Sequence, residues 1–171
     1  MSNIKNKIIH LLSLYPEEEF YAQEIAEKLR CSKSSAVVIL KDLTSKKIVH
    51  KKEKGHMKFY QINEKNIEVK RLKIDFTIKA LHPLLSRLGK ISQEIVLFGS
   101  SSRGEETFNS DIDLLIVTNN KREVKENIDK VAPKKRIQAI IKTPSEWAEV
   151  ETKNPELYKE VYRGIVLQKT N

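Results

Sequence analysis

The chain has 171 residues, 39% of them apolar and 32% charged, a net charge of +9 and a single cysteine. That apolar share excludes a disordered chain, and no apolar run approaches the roughly 18–20 residues that span a bilayer. Cys31 cannot form an internal disulfide, and four scattered histidines with one cysteine argue against a structural zinc site. The first residues lack a basic-then-apolar signal segment. The expectation is a soluble cytoplasmic protein of one domain or two small ones, with no membrane partner. The charge is uneven. Residues 1–65 carry thirteen basic against eight acidic side chains, residues 66–90 six against two, and residues 91–171 thirteen against thirteen. A basic part joined to a neutral part predicts two modules, the first facing a polyanion.

Ile4, Ile8, Leu11 and Leu12 predict an amphipathic helix over Asn3–Tyr15, stopped by Pro16. Ile25, Ala26 and Leu29 share one face of a second helix, Ala22–Leu29. Arg30-Cys31 reads as a turn, and Ser32 as the N-cap of a third helix, Lys33–Ser45, with Ala36, Ile39, Leu40 and Leu43 inward. Two β-rich stretches follow, Ile48–Glu53 and Met57–Ile62, split by Lys54-Gly55 as a hairpin signal. Helix, helix-turn-helix, hairpin is the order of a winged helix. Asn63–Leu88 is a longer helical stretch in which Pro83 predicts a kink or break.

Beyond it, strands and helices alternate. Glu94–Phe98 is a strand, Gly99–Ser110 a polar segment with a short helix from Ser101, and Asp111–Thr118 a buried strand. Lys121–Val131 is a helix and Lys135–Ile141 a third strand. Thr143 with Glu146 forms a capping box that opens a helix through Glu151. A last helix, Glu156–Tyr162, stops at Gly164. The fold class expected is α+β: an N-terminal winged helix (1–63), a connecting helix (64–90), and a small mixed sheet flanked by helices (91–171).

The chemistry concentrates in Leu97–Asp113. A strand ends in Gly99-Ser100, where glycine permits close backbone approach and the N–H groups of a following turn can hold phosphate. Ser100 adds a hydroxyl, and Arg103 can reach a phosphate oxygen. The next strand opens with Asp111-Ile112-Asp113. A side-chain period of two places both carboxylates on one face, roughly 6–7 Å apart. Such a pair resists desolvation unless a cation lies between them, and Mg²⁺ suits carboxylates plus substrate phosphates.

This stretch resembles the signature of the minimal nucleotidyltransferases of the DNA polymerase beta-type superfamily: Gly-Ser, Arg-Gly, then Ser-Asp-x-Asp-Leu. Residues 93–142 carry the resemblance. It implies a domain that binds a nucleoside triphosphate, ATP or another, and transfers a nucleotidyl group to an acceptor hydroxyl with two Mg²⁺ or Mn²⁺ ions. Gly99 and Ser100 would then hold the β/γ-phosphates, and Asp111 and Asp113 would be the catalytic metal ligands. Arg103 would support the triphosphate or the helix opening. Two departures stand out. Ser101 occupies a position that is basic in many relatives. The later strand that usually supplies a third carboxylate has Gln138 instead, and an amide can neither act as a base nor supply charge. Nucleotide binding is therefore better supported by the sequence than turnover.

Residues 4–62 resemble the winged helix-turn-helix of bacterial and archaeal transcription regulators, through Ala22–Leu29, Ser32–Val38 and Leu40–Leu43. The resemblance implies double-stranded DNA as partner, read by the third helix in the major groove. Ser32, Lys33, Ser34, Ser35, Val38 and Lys41 would face DNA, with Lys51, Lys52, Lys54 and Lys58 on the hairpin meeting phosphate. Arg30 stands where glycine is usual at the turn, and Lys46-Lys47-Ile48 replaces a Lys-Gly-Leu type of text. Winged helices also serve as protein-interaction modules. Two readings of function stay open: a DNA-binding protein with an active nucleotidyltransferase domain, or a transcription regulator whose second domain is catalytically degenerate and serves nucleotide sensing or dimerisation. A homodimer is expected by analogy, and a small helical toxin-like protein is a third kind of partner that the resemblance admits.

Overall fold

Apolar residues at helical spacing organise the first part of the chain. Described in a computed structural model over residues 2–130 and 136–170, the chain divides by its contacts into two units, Met1–Lys73 and Ile74–Asn171. In the first, helix α1 (Ser2–Leu14) buries Ile8, Ile9 and Leu12. A short strand β1 (Phe20–Tyr21) follows, then α2 (Ala22–Leu29) and α3 (Lys33–Ser45). Strands β2 (Val49–Lys54) and β3 (Met57–Ile62) form the hairpin. The sheet order is β1-β3-β2, antiparallel throughout. Ala36, Ile39, Leu40 and Leu43 of α3 are buried, as are Val49, Tyr60 and Ile62. This is a winged helix.

Ser32 caps α3 by accepting from the Ser35 amide at 3.1 Å. Both turns that depart from the usual glycine are left-handed. Arg30 ends α2 at φ 52°, and Lys47 follows α3 at φ 56°. Each closes its helix with a paired return of backbone bonds. Arg30 N donates to Glu27 O and Cys31 N to Ala26 O; Lys47 N donates to Thr44 O and Ile48 N to Leu43 O. The hairpin turn is Gly55-His56 rather than Lys54-Gly55, because Lys54 pairs with Met57. Gly55 at φ 59° supplies the positive angle that a two-residue loop needs at its first position.

Helix α4 (Ile67–Leu88) contains the boundary between the units. It continues through Pro83 instead of breaking there. Leu81, Leu84 and Leu88, on both sides of the proline, belong to one buried cluster, and that burial offsets the lost hydrogen bond.

The second unit is a four-stranded sheet ordered β6-β5-β4-β7: β4 (Glu94–Phe98), β5 (Ile112–Val117), β6 (Ile137–Lys142) and β7 (Ile165–Lys169). β4 runs antiparallel to β5 and β7, and β5 parallel to β6, which makes the sheet mixed. Between the strands lie α5 (Gly99–Arg103), α6 (Lys121–Lys130), α7 (Pro144–Lys153) and α8 (Pro155–Tyr162). One sheet face packs Ile95, Leu97, Leu114 and Ile116 with the α4 leucines and Val124 of α6. The other packs Val96, Phe98, Leu115 and Val117 with Trp147 and Val161 of α7 and α8. The strand expected from Asp111 starts at Ile112, and β1 and β7 are additional strands. Val131 and Lys135, expected in the helix before β6 and in β6, lie outside the described residues. No described helix is long and apolar enough to cross a membrane.

Candidate functional site

Strand alternation brings the predicted acidic site together at one end of the α7/α8 face. Phe98 is the register partner of Asp113 across β4 and β5. Asp113 therefore continues the row of Leu115 and Val117 beyond the apolar core. Gly99 begins α5 at φ 66°, and a Cβ there would collide with the Asp113 carboxylate. Only glycine allows the backbone this close. Within α5, the Ser101 hydroxyl lies 3.5 Å from the Asp111 carbonyl, while Ser102 donates to the Gly99 carbonyl at 2.8 Å. Both of these serines are buried, whereas Gly99 and Ser100 are half-buried at the surface of the site. Gly164 presses on the outgoing end of β4, where any side chain would strike the Leu97 carbonyl.

Asp111 and Asp113 are half-buried on either side of fully enclosed Ile112. The Asp113 carboxyl is pushed above the ordinary aspartate range, first by burial and then by the negative charge of Asp111; Arg103 pulls it back. A bound cation would relieve both causes. Gln138 of β6 is the register partner of Asp113 and lies on its exposed side. The amide thus occupies the neighbouring strand position on the same face as Asp113. No group of three or more metal-ligating His, Cys, Asp or Glu side chains occurs among the described residues.

Arg103 is engaged by two carboxylates, Glu105 at 3.0 Å and Glu160 of α8 at 2.9 Å. It ties the end of α5 to α8, a role that its position in the sequence does not reveal. Glu146, the nearest downstream acid on α7, is committed elsewhere. It accepts from the Thr143 amide at 2.8 Å and pairs with Lys121, and these bonds lower its pKa from 4.5 to about 2.

In the first unit, Ser32 at the N-cap of α3 and Lys33, Ser34, Ser35, Val38 and Lys41 on the helix are all exposed, Val38 at 57%. Lys51, Lys52, Lys54 and Lys58 are exposed on the hairpin, but they divide between its faces. Lys52 and Lys54 share one face with Phe59 and Met57, and Lys51 and Lys58 lie on the other. Several are ion-paired: Lys51 with Glu53 at 3.0 Å, Lys52 with Glu19 at 3.3 Å, and Lys54 also with Glu19.

Among solved structures, the chain is similar to the adhesin competence repressor AdcR from Streptococcus pyogenes, at 17% identity over 49% of this chain and 65% of that one, TM-score 0.38. ZitR from Lactococcus lactis, solved in complex with DNA, aligns at 21% identity over 51% of this chain and 62% of that one, TM-score 0.38. The chain spans less than two thirds of either regulator. A provisionally named nucleotidyltransferase from Sulfolobus solfataricus aligns at 17% identity over 58% of this chain and 86% of that one, TM-score 0.41. No curated protein sequence matches the chain significantly. Residues 78–162, which contain the Gly99-Ser100 turn, both aspartates and Gln138, match the family model of the nucleotidyltransferase domain.

Proposed function

We propose that this protein binds duplex DNA through its winged helix and a nucleoside triphosphate with Mg²⁺ through its second unit. One observation carries the nucleotide reading. Gly99 opens a turn against the carboxylate of Asp113, whose pKa is raised by burial and by Asp111. A pair of crowded acids beside a glycine turn suits a divalent cation and the phosphates that accompany it. Asp111 and Asp113 would hold Mg²⁺ or Mn²⁺, and Gly99 and Ser100 would hold phosphate oxygens through a backbone N–H and a hydroxyl. The metal, when bound, would neutralise phosphate charge. Arg103 positions the turn through Glu160 of α8.

The pairing of Gln138 with Asp113 favours a second reading for the chemistry. An amide cannot remove the proton of an acceptor hydroxyl, and a positioned base typically contributes ~10²–10⁴-fold. On this reading the unit senses a nucleotide, or serves dimerisation, while the winged helix regulates transcription.

Calorimetric titration of ATP, GTP, CTP and UTP, with and without Mg²⁺, tests the site. Metal-dependent binding that disappears in Asp111→Asn/Asp113→Asn supports it, and wild-type protein that binds none of the four overturns it. For the winged helix, duplex affinity should fall steeply with salt and the slope should shrink in Lys51→Ala/Lys52→Ala. Salt-insensitive or absent binding overturns the DNA reading.

A further inference from the structure

The face of the hairpin that carries Lys52 and Lys54 also carries an acid from outside the hairpin. Glu19 immediately precedes β1, which pairs with β3, so β3 separates it from β2 and the two lysines. Its carboxylate reaches across that strand. One oxygen accepts from Lys52 Nζ at 3.3 Å and the other from Lys54 Nζ. Lys54 Nζ also stands over the Phe59 ring, 5.1 Å from its centroid, and Tyr21 meets the same ring edge-on at 6.4 Å. Glu19 is 22% exposed at its side chain, against 66% and 52% for the two lysines. The hydrogen bond from Lys54 is the largest cause holding its carboxyl below the ordinary glutamate range. Glu17 and Glu18 beside it are exposed and form no ion pair among the described residues.

We propose that Glu19 is an intramolecular counter-ion that competes with DNA phosphate for Lys52 and Lys54, so that a duplex reaches this face of the hairpin only by displacing it. The proposal rests on the DNA-binding reading. Exposed ion pairs are weak and screened by salt, and a phosphate backbone is dense in charge, so displacement is feasible. The acid nonetheless opposes indiscriminate phosphate binding by the hairpin. Contacts that do not need these two lysines, those of α3 with the groove, then carry a larger share of the affinity, and that favours discrimination among sequences.

The test is fluorescence anisotropy of a short random-sequence duplex titrated with the full chain across a salt series from about 50 to 200 mM. Glu19→Gln should bind about 3–10-fold tighter at the low end, with a log–log slope steeper by up to about two, one for each lysine released. Lys52→Gln/Lys54→Gln should cost more affinity in the Glu19→Gln background than in wild type, because only there are both lysines released. Glu17→Gln removes the same charge without releasing a lysine and should have a smaller effect. Glu19→Asp, which keeps the charge but shortens the reach, should fall between wild type and Glu19→Gln; thermal melting of each variant establishes that it is folded. Equal effects of Glu19→Gln and Glu17→Gln, or simple additivity of the Glu19 and lysine changes, overturn the proposal while leaving wild-type DNA binding intact. If neither wild type nor Glu19→Gln binds duplex, the DNA reading and this proposal fall together.

Discussion

Gln138 stands opposite Asp113 in register on the adjacent parallel strand, so an amide and a carboxylate share one face at the mouth of the acidic site. The relationship follows from β5 and β6 running parallel with Ile112 paired to Ile137, which alternates the faces of both strands together. Asp113 is already crowded by burial and by Asp111. A neutral partner on its open side adds no further repulsion. On the proposed reading it would leave any cation held there with two formal negative charges from this site, and would supply no base.

The first consequence concerns pH. A carboxyl raised in the folded state binds protons more tightly than in the unfolded chain, so it favours folding at low pH. That contribution disappears as pH rises from the ordinary aspartate value of 3.8 through the raised value of Asp113. Above that window the ionised group opposes folding. Asp113→Asn should therefore raise the melting temperature of the chelator-treated protein at neutral pH by a few degrees at most. The gain should vanish near pH 3, and Mg²⁺ should narrow it by stabilising wild type alone. Scanning calorimetry with chelator and with Mg²⁺ checks both signs.

Gln138→Glu makes the converse change. A third carboxylate in register with Asp113 repels it in the metal-free protein and assists any cation held there. The variant should melt lower than wild type in chelator and gain more from Mg²⁺, with an affinity about tenfold tighter for the added ligand charge. Metal titration followed by calorimetry reads this out. An unchanged Mg²⁺ response would separate Gln138 from the cation position.

Arg30 and Lys47 adopt left-handed backbone where glycine is the unstrained residue. A side chain there costs about 1–2 kcal/mol of strain, and glycine's greater unfolded-state freedom returns part of it. Arg30→Gly and Lys47→Gly should each stabilise the protein by about 0.5–1 kcal/mol. The Lys47 carbonyl is additionally fixed by the Asn63 and Asn66 side-chain amides at 2.8 and 3.1 Å, which hold the turn whichever residue occupies it. Urea denaturation of the two variants and the pair measures the gains.

Features with a local cause were legible in the sequence. Ser32 and Thr143 cap their helices by accepting from an amide three residues on, an interaction written within one turn of chain. The core of α3 and the acidic strand likewise followed from periodicity. The helix through Pro83 did not, because its continuity depends on the buried leucines around the proline rather than on propensity. β1 is too short for any period to register, and β7 acquires its strand character by pairing with β4, some seventy residues away in sequence. Glu19 with Lys52 and Arg103 with Glu160 were invisible for the same reason, at separations of 33 and 57 residues. Of the acidic site, the composition was legible, and the resemblance already put Gln138 on the strand of the missing third acid; the sheet adds that its register partner is Asp113.

Glu146, on α7 of the same unit, offers a second pH test. Lys121 and the Thr143 amide lower its pKa from 4.5 to about 2, so its ionised form favours folding. That contribution is full above the unfolded value and is lost as pH falls from about 4.5 toward 2. Glu146→Gln keeps an oxygen for the capping box and loses the ion pair. Its melting temperature should lie below that of wild type at neutral pH and converge with it near pH 2. A carbon-detected NMR titration should place the Glu146 carboxyl well below the exposed glutamates.

Gly55 and Gly99 separate backbone strain from steric collision. Both have positive φ, 59° and 66°, yet a Cβ on Gly55 meets nothing within 4 Å, while one on Gly99 runs into the Asp113 carboxylate. Gly55→Ala should therefore cost about 1 kcal/mol from the left-handed conformation alone and leave nucleotide binding unchanged. Gly99→Ala adds displacement of a half-buried carboxylate to the same strain. It should cost about 2–3 kcal/mol and, on the proposed nucleotide reading, abolish metal-dependent nucleotide binding, because the Asp113 side chain must move out of the way of the added Cβ. Denaturant midpoints and calorimetric titration of the two alanine variants side by side make the comparison. Equal destabilisation with nucleotide binding retained in both would mean that the closeness of Gly99 to Asp113 has no part in holding a ligand.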